Sequence, residues 1–129
     1  MKDTPRVLVV DDETGLRETM FKRLKKRGLE VSTAGSGEEA LDILSKDPFD
    51  VIVLDVKMPG IDGIETLKRI KDIRPDYEVI ILSGHASLDL ARRIVELGGF
   101  DYLLKPFDFE DLLVKIEGAF NRKKGFCVI

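Results

Sequence analysis

Apolar and polar positions along the chain fall into two alternating regimes. Val7-Leu8-Val9-Val10, Val51-Ile52-Val53-Leu54 and Val79-Ile80-Ile81-Leu82 are solid apolar runs, as expected of parallel strands covered on both faces. Between and beyond these runs, apolar residues recur at three- and four-residue spacing. The stripes are Leu16, Met20 and Leu24; Ala40, Leu41 and Leu44; Ile64, Leu67 and Ile70; Ala91, Ile94 and Val95; and Leu112, Leu113, Ile116 and Phe120. That period predicts five helices. Strands are predicted near residues 6–10, 29–34, 50–54, 78–82 and 100–104, so strand and helix alternate throughout, the pattern of an α/β, doubly wound parallel sheet. The run Leu29-Glu30-Val31-Ser32-Thr33-Ala34 mixes polar with apolar residues and predicts an edge strand.

Boundary residues agree with this division. Gly28 stands just past the first helix, Ser36 with Glu39 forms a capping box for the second, and Asp108 can cap the fifth. Pro75 and Gly98-Gly99 end the third and fourth. At 129 residues the chain fits one domain. No apolar run approaches the roughly 20 residues of a membrane span, and Met1-Lys2-Asp3 leads into a strand without a secretory signal. A cytoplasmic protein without membrane contact is expected. The net charge of -3 gives no argument for direct nucleic-acid binding. The one basic concentration, Arg122-Lys123-Lys124, reads as a solvated helix end, and the single cysteine, Cys127, excludes an internal disulfide.

Charge at the strand ends changes the picture. Asp11 and Asp12 close the first strand, Asp55 the third, Ser83 the fourth and Lys105 the fifth. Open parallel sheets bind ligands at this carboxyl edge. Three carboxylates together repel one another unless a cation intervenes, and a set of hard oxygens without His or Cys suits Mg2+. Lys105, Ser83 and the metal make a cradle for a phosphoryl group. Asp55, alone at the end of a central strand, is the candidate nucleophile for an aspartyl phosphate. Gly84 leaves the approach of a phosphoryl donor unobstructed.

Four motifs occur in one order: Val9-Val10-Asp11-Asp12-Glu13, Leu54-Asp55-Val56-Lys57-Met58-Pro59-Gly60-Ile61-Asp62-Gly63, Leu82-Ser83-Gly84-His85, and Asp101-Tyr102-Leu103-Leu104-Lys105-Pro106-Phe107. In them the chain resembles the receiver domain of two-component response regulators, over about residues 5–121. The resemblance implies a flavodoxin-like (βα)5 fold with strand order 2-1-3-4-5. It implies a receiver domain over residues 1–121, followed by a tail at 122–129 that begins a linker. A sensor histidine kinase or phosphotransfer protein would donate the phosphoryl group to Asp55. Mg2+ would sit on Asp12, Asp55 and the backbone carbonyl of Lys57, with Asp11 holding a metal water. Lys105 would pair with a phosphoryl oxygen, and the Lys105-Pro106 bond would be cis.

Ser83 and Tyr102 match the family's switch pair, which moves the surface of helix four, strand five and helix five to control an output domain or partner, a transcriptional one among the candidates. Lys57 and His85 fall at positions that face the phosphorylation site and would tune phosphoryl lifetime. Arg92, Arg93, Glu96, Asp111 and Lys115 suit pairing across a symmetric homodimer of that surface. Apart from self-phosphorylation and self-dephosphorylation, no enzyme is expected. The competing reading, a Mg2+-dependent phosphatase or phosphotransferase of the haloacid dehalogenase type, wants a second Asp two residues after the nucleophile, where this chain has Lys57.

Overall fold

The computed structural model describes residues 4–85 and 87–125. The solid apolar runs become β1 (Arg6–Val10), β3 (Val51–Asp55) and β4 (Glu78–Ser83), flanked by β2 (Glu30–Ala34) and β5 (Asp101–Leu104) in one parallel sheet of order β2-β1-β3-β4-β5. The helices are α1 (Thr14–Lys26), α2 (Gly37–Lys46), α3 (Gly63–Ile73), α4 (Leu88–Glu96) and α5 (Phe109–Lys123). The chain steps from β1 to β2 on one side and to β3 on the other, so the connections diverge between β1 and β3. A crevice opens there at the carboxyl edge.

Two cores explain the unbroken runs. Leu8, Val10, Ile52 and Leu54 face one side of the sheet, with Ala40, Leu67, Ile70 and Ile94 of α2, α3 and α4. Val7, Val9, Val51 and Val53 face the other, with Met20, Leu24, Leu112 and Ile116 of α1 and α5. Every strand residue in these runs is fully buried, and each such side chain contributes roughly 1.5–3 kcal/mol. That rigid base holds the strand ends in register, Val10 beside Leu54 and Asp55 beside Leu82.

The caps form largely as predicted. Ser36 Oγ accepts from Glu39 N–H at 3.0 Å, but the Glu39 carboxylate takes the Gly35 N–H at 2.7 Å and not that of Ser36. Gly28 adopts φ +90°, which only glycine enters without strain. Asp62 and Asp108 cap α3 and α5.

The basic end of α5 is the solvated helix end expected, with Arg122 and Lys124 exposed, and it is also tied to the rest of the fold. Arg122 clamps both carboxylate oxygens of Glu78, the first residue of β4, and its guanidinium lies 4.8 Å from the Phe100 ring centroid. Lys123 stands 3.6 Å from Asp50 and from Asp76. These partners lie at the amino edge of the sheet, dozens of residues away, so local charge patterning could not locate them. The helix therefore runs through Lys123, and Glu78 is only 6% exposed. Lys115 is engaged within the chain, 2.6 Å from Asp101. Cys127 and Met1-Lys2-Asp3 lie outside the described residues. Among the described residues no helix is long and apolar enough to cross a membrane.

Candidate functional site

The strand ends converge as their order requires. Asp11 follows β1 and is held from three directions: its N–H donates to Ala34 O at 3.1 Å, its Oδ1 accepts from Glu13 N–H at 2.9 Å, and its carbonyl accepts from Arg17 Nη1 at 2.6 Å. The side chain is fully buried. Asp55 ends β3 and is nearly as buried, whereas Asp12 is exposed. Carboxylate oxygens of Asp11, Asp12 and Asp55 all lie within 4.8 Å of one another. Lys105 Nζ reaches across from the end of β5, 3.4 Å from Asp11 Oδ2 and 3.2 Å from Asp55 Oδ1.

The electrostatics follow from that packing. Burial pushes the Asp55 carboxyl above its usual range and the Asp11 charge pushes it further, while Lys105 and the backbone N–H of Lys57 act against the rise. Burial alone would lower the Lys105 ammonium, but Asp11 and Asp55 outweigh it and hold the group charged. An oxygen donor set crowded enough to lift a carboxylate pKa fits a small hard dication, which relieves the same repulsion.

Around this centre, Ser83 is buried at the end of β4 and its hydroxyl is turned to its own loop, donating to His85 O at 2.9 Å and accepting from His85 N–H at 3.1 Å. The Lys105 N–H donates to Ser83 O at 2.7 Å, linking the two strand ends, and the Lys105-Pro106 bond is cis. Tyr102 is half-buried against the core beneath α4. A Cβ on Gly84 would meet no atom within 4 Å, so the approach at that point is open. Lys57 and His85 line one open cavity with Asp12, Met58, Ser83 and Leu90.

Three contributors escaped the sequence reading. Arg17 supports the Asp11 backbone from the first turns of α1. Gly63 lets the start of α3 press against the end of β3: a Cβ there would stand 2.3 Å from Asp55 O and 2.7 Å from Val56 Cα, and the Gly63 N–H donates to Val56 O at 2.9 Å. Its signal was present, since a glycine directly after a capping Asp forgoes helix propensity. Glu38, whose carboxylate accepts from Ile61 N–H at 3.2 Å, left no such signal.

Residues 7–117 match the family described as the response regulator receiver domain. The chain is 39% identical to sporulation initiation phosphotransferase F of Bacillus subtilis over 107 residues, 83% of this chain and 86% of that protein. It is 39% identical to the DNA-binding transcriptional regulator NtrC of Klebsiella pneumoniae over 113 residues, 88% of this chain but 24% of that protein. It thus spans about a quarter of the length of that relative. The crystal structure of a response regulator receiver domain protein from Clostridium thermocellum superposes with a TM-score of 0.88 at 41% identity, covering 93% of this chain and 97% of that one.

Proposed function

Because the chain belongs to the response regulator receiver domain family, we propose that it is a phosphorylation-controlled switch that takes a phosphoryl group on Asp55 from a sensor histidine kinase or phosphotransfer protein. The observation that carries the reading is the pairing of Lys105 with Asp55, 3.2 Å apart, inside the Asp11–Asp12–Asp55 cluster. The pairing supports the reading because phosphoryl transfer asks a protein mainly for positioning and neutralisation, and a carboxylate beside an ammonium meets both needs. An Asp55 carboxylate oxygen bonds to phosphorus as the donor's P–N bond breaks, and the departing imidazole takes its proton from solvent. Asp11, Asp12, Asp55 and the Lys57 carbonyl are the groups that would hold Mg2+, which when bound supplies positive charge to the phosphoryl oxygens.

Lys105 orients the phosphoryl oxygens, and the Ser83 hydroxyl leaves His85 to reach them. Tyr102 then turns inward, and the surface of α4, β5 and α5 changes. A partner or output domain reads that change; the likeness to NtrC supports a transcriptional output, and the exposed charges of α4 support a homodimer. The chain itself makes no direct nucleic-acid contact in this reading and acts in the cytoplasm. Incubation with Mg2+ and acetyl phosphate is expected to give one phosphoryl adduct by intact mass, lost in Asp55→Asn and on chelation. An adduct that persists in Asp55→Asn, or its absence from wild type, sinks the reading. The haloacid dehalogenase alternative is not favoured, since the family match covers most of the chain and Lys57 stands where that chemistry needs a carboxylate.

Lys57 and His85 line the open cavity beside Asp12 and Ser83, and in this reading the attacking water reaches the phosphorylated carboxylate through it. They set its lifetime: Lys57→Ala and His85→Ala, singly and together, are expected to change the hydrolysis half-life by about threefold or more, the scale of a single hydrogen-bonding group. Unchanged half-lives in all three variants would remove both side chains from that role.

A further inference from the structure

The β3–α3 loop is gripped by the first turn of α2, the helix packed beside α3 on the same face of the sheet. Glu38 Oε2 accepts the Ile61 N–H at 3.2 Å. Gly60 is in the left-handed region at φ +78°, so close to the same carboxylate that a Cβ would stand 2.6 Å from its oxygen. One residue earlier on α2, a Cβ on Gly37 would meet Thr66 Oγ1 at 2.2 Å and Ile61 Cγ1 at 2.7 Å. Two glycines, one on each side of the contact, thus let helix and loop interlock around the Glu38 carboxylate.

The rest of the loop shows why this grip matters. Val56 fixes its beginning, donating its N–H to Leu82 O at 2.9 Å and accepting from Gly63 N–H, and Asp62 fixes its end by capping α3. Lys57, Met58, Pro59, Gly60 and Ile61 lie between. Among the described residues, the Glu38–Ile61 bond ties this stretch to a different element of the fold. Lys57 contributes backbone to the acidic cluster, its N–H already acting on the Asp55 carboxyl.

We infer that Glu38 is a positioning residue of the acidic site: by holding Gly60 and Ile61 it fixes the loop that presents the Lys57 backbone to a bound Mg2+. The inference rests on the reading of that site given above. Its action is through loop geometry, as a hydrogen-bond acceptor, and its charge is incidental.

The test is calorimetric titration of the unphosphorylated protein with Mg2+ alone, for wild type, Glu38→Ala and Glu38→Gln, with the thermal midpoint of each. Glu38→Ala is expected to raise the Mg2+ dissociation constant by about three- to tenfold, the range of one hydrogen bond, and Glu38→Gln, which keeps the acceptor, to restore it to within about twofold. Because Glu38 is exposed on a helix surface, the alanine variant should fold. Gly60→Ala attacks the same contact from the loop side and should weaken Mg2+ in the same direction. Wild-type affinity in Glu38→Ala overturns the inference, and so does a glutamine variant as weak as the alanine one, which would assign the effect to charge. If wild type itself binds no Mg2+, the reading of the acidic site fails first, and the two failures are distinguishable.

Discussion

Gly63→Ala is expected to destabilise the protein by about 3 kcal/mol, lowering the thermal midpoint by roughly 10 °C. The reason is the identity of the atoms in the way. A methyl group at this position meets Asp55 O and Val56 Cα, which are backbone and cannot rotate aside. Relief requires α3 to lift from the end of β3, breaking the Gly63–Val56 hydrogen bond and drawing Asp55 away from Asp11 and Lys105. The phosphorylation rate should fall with stability, since Asp55 and the loop after it move together. Gly84→Ala is the internal comparison: its methyl has open space, and its stability should stay within about 0.5 kcal/mol of wild type. Equal midpoints for wild type and Gly63→Ala would mean that the close approach of α3 does not set the position of Asp55.

Lys105→Ala should give the second large effect, and its sign depends on pH. Asp55 has a folded-state pKa raised above its unfolded value, so the folded protein keeps a proton that the unfolded chain has lost. Stability from such a group is greatest at acid pH and declines as pH rises through the folded pKa. Lys105 opposes that rise. Removing it pushes the Asp55 carboxyl higher still and leaves Asp11, fully buried, without its cation.

The variant should therefore lose more stability at pH 8 than at pH 5. The loss at pH 8 should be about 1–2 kcal/mol, allowing for the partial exposure of the ammonium, and Mg2+ should recover much of it by neutralising the same carboxylates. Urea unfolding at the two pH values, with and without Mg2+, measures this. A loss independent of pH and of Mg2+ would show that Lys105 acts through its packing alone. Acetyl phosphate should still label the variant, at least about tenfold more slowly, because the remaining donors must stabilise the transferring group without the ammonium.

The sheet was legible in the sequence because burial on both faces removes polar residues from β1, β3 and β4, leaving runs that no surface segment would carry. The candidate site was legible for a related reason. In a parallel sheet every strand delivers its following residue to one edge, so Asp11, Asp55, Ser83 and Lys105 could be placed together from strand ends alone. What stayed hidden depends on contacts between elements whose separation no periodicity encodes. Glu38 meets Ile61 across 23 residues, and Arg122 meets Glu78 across 44. Arg122 also shows how a solvent-facing basic run carries an ion pair that only the fold reveals. The capping box at Ser36 was correct in its first bond and displaced by one residue in its second, where the Glu39 carboxylate takes the Gly35 N–H.

In the switch proposed, Asp55 and no neighbouring carboxylate carries the phosphoryl group. Treating the phosphorylated protein with borohydride, which reduces an acyl phosphate to an alcohol, and mapping the reduced residue by peptide mass spectrometry identifies the carrier. Homoserine is expected at position 55, with Asp11 and Asp12 unmodified. Reduction at Asp11 or Asp12 with Asp55 intact would contradict this assignment.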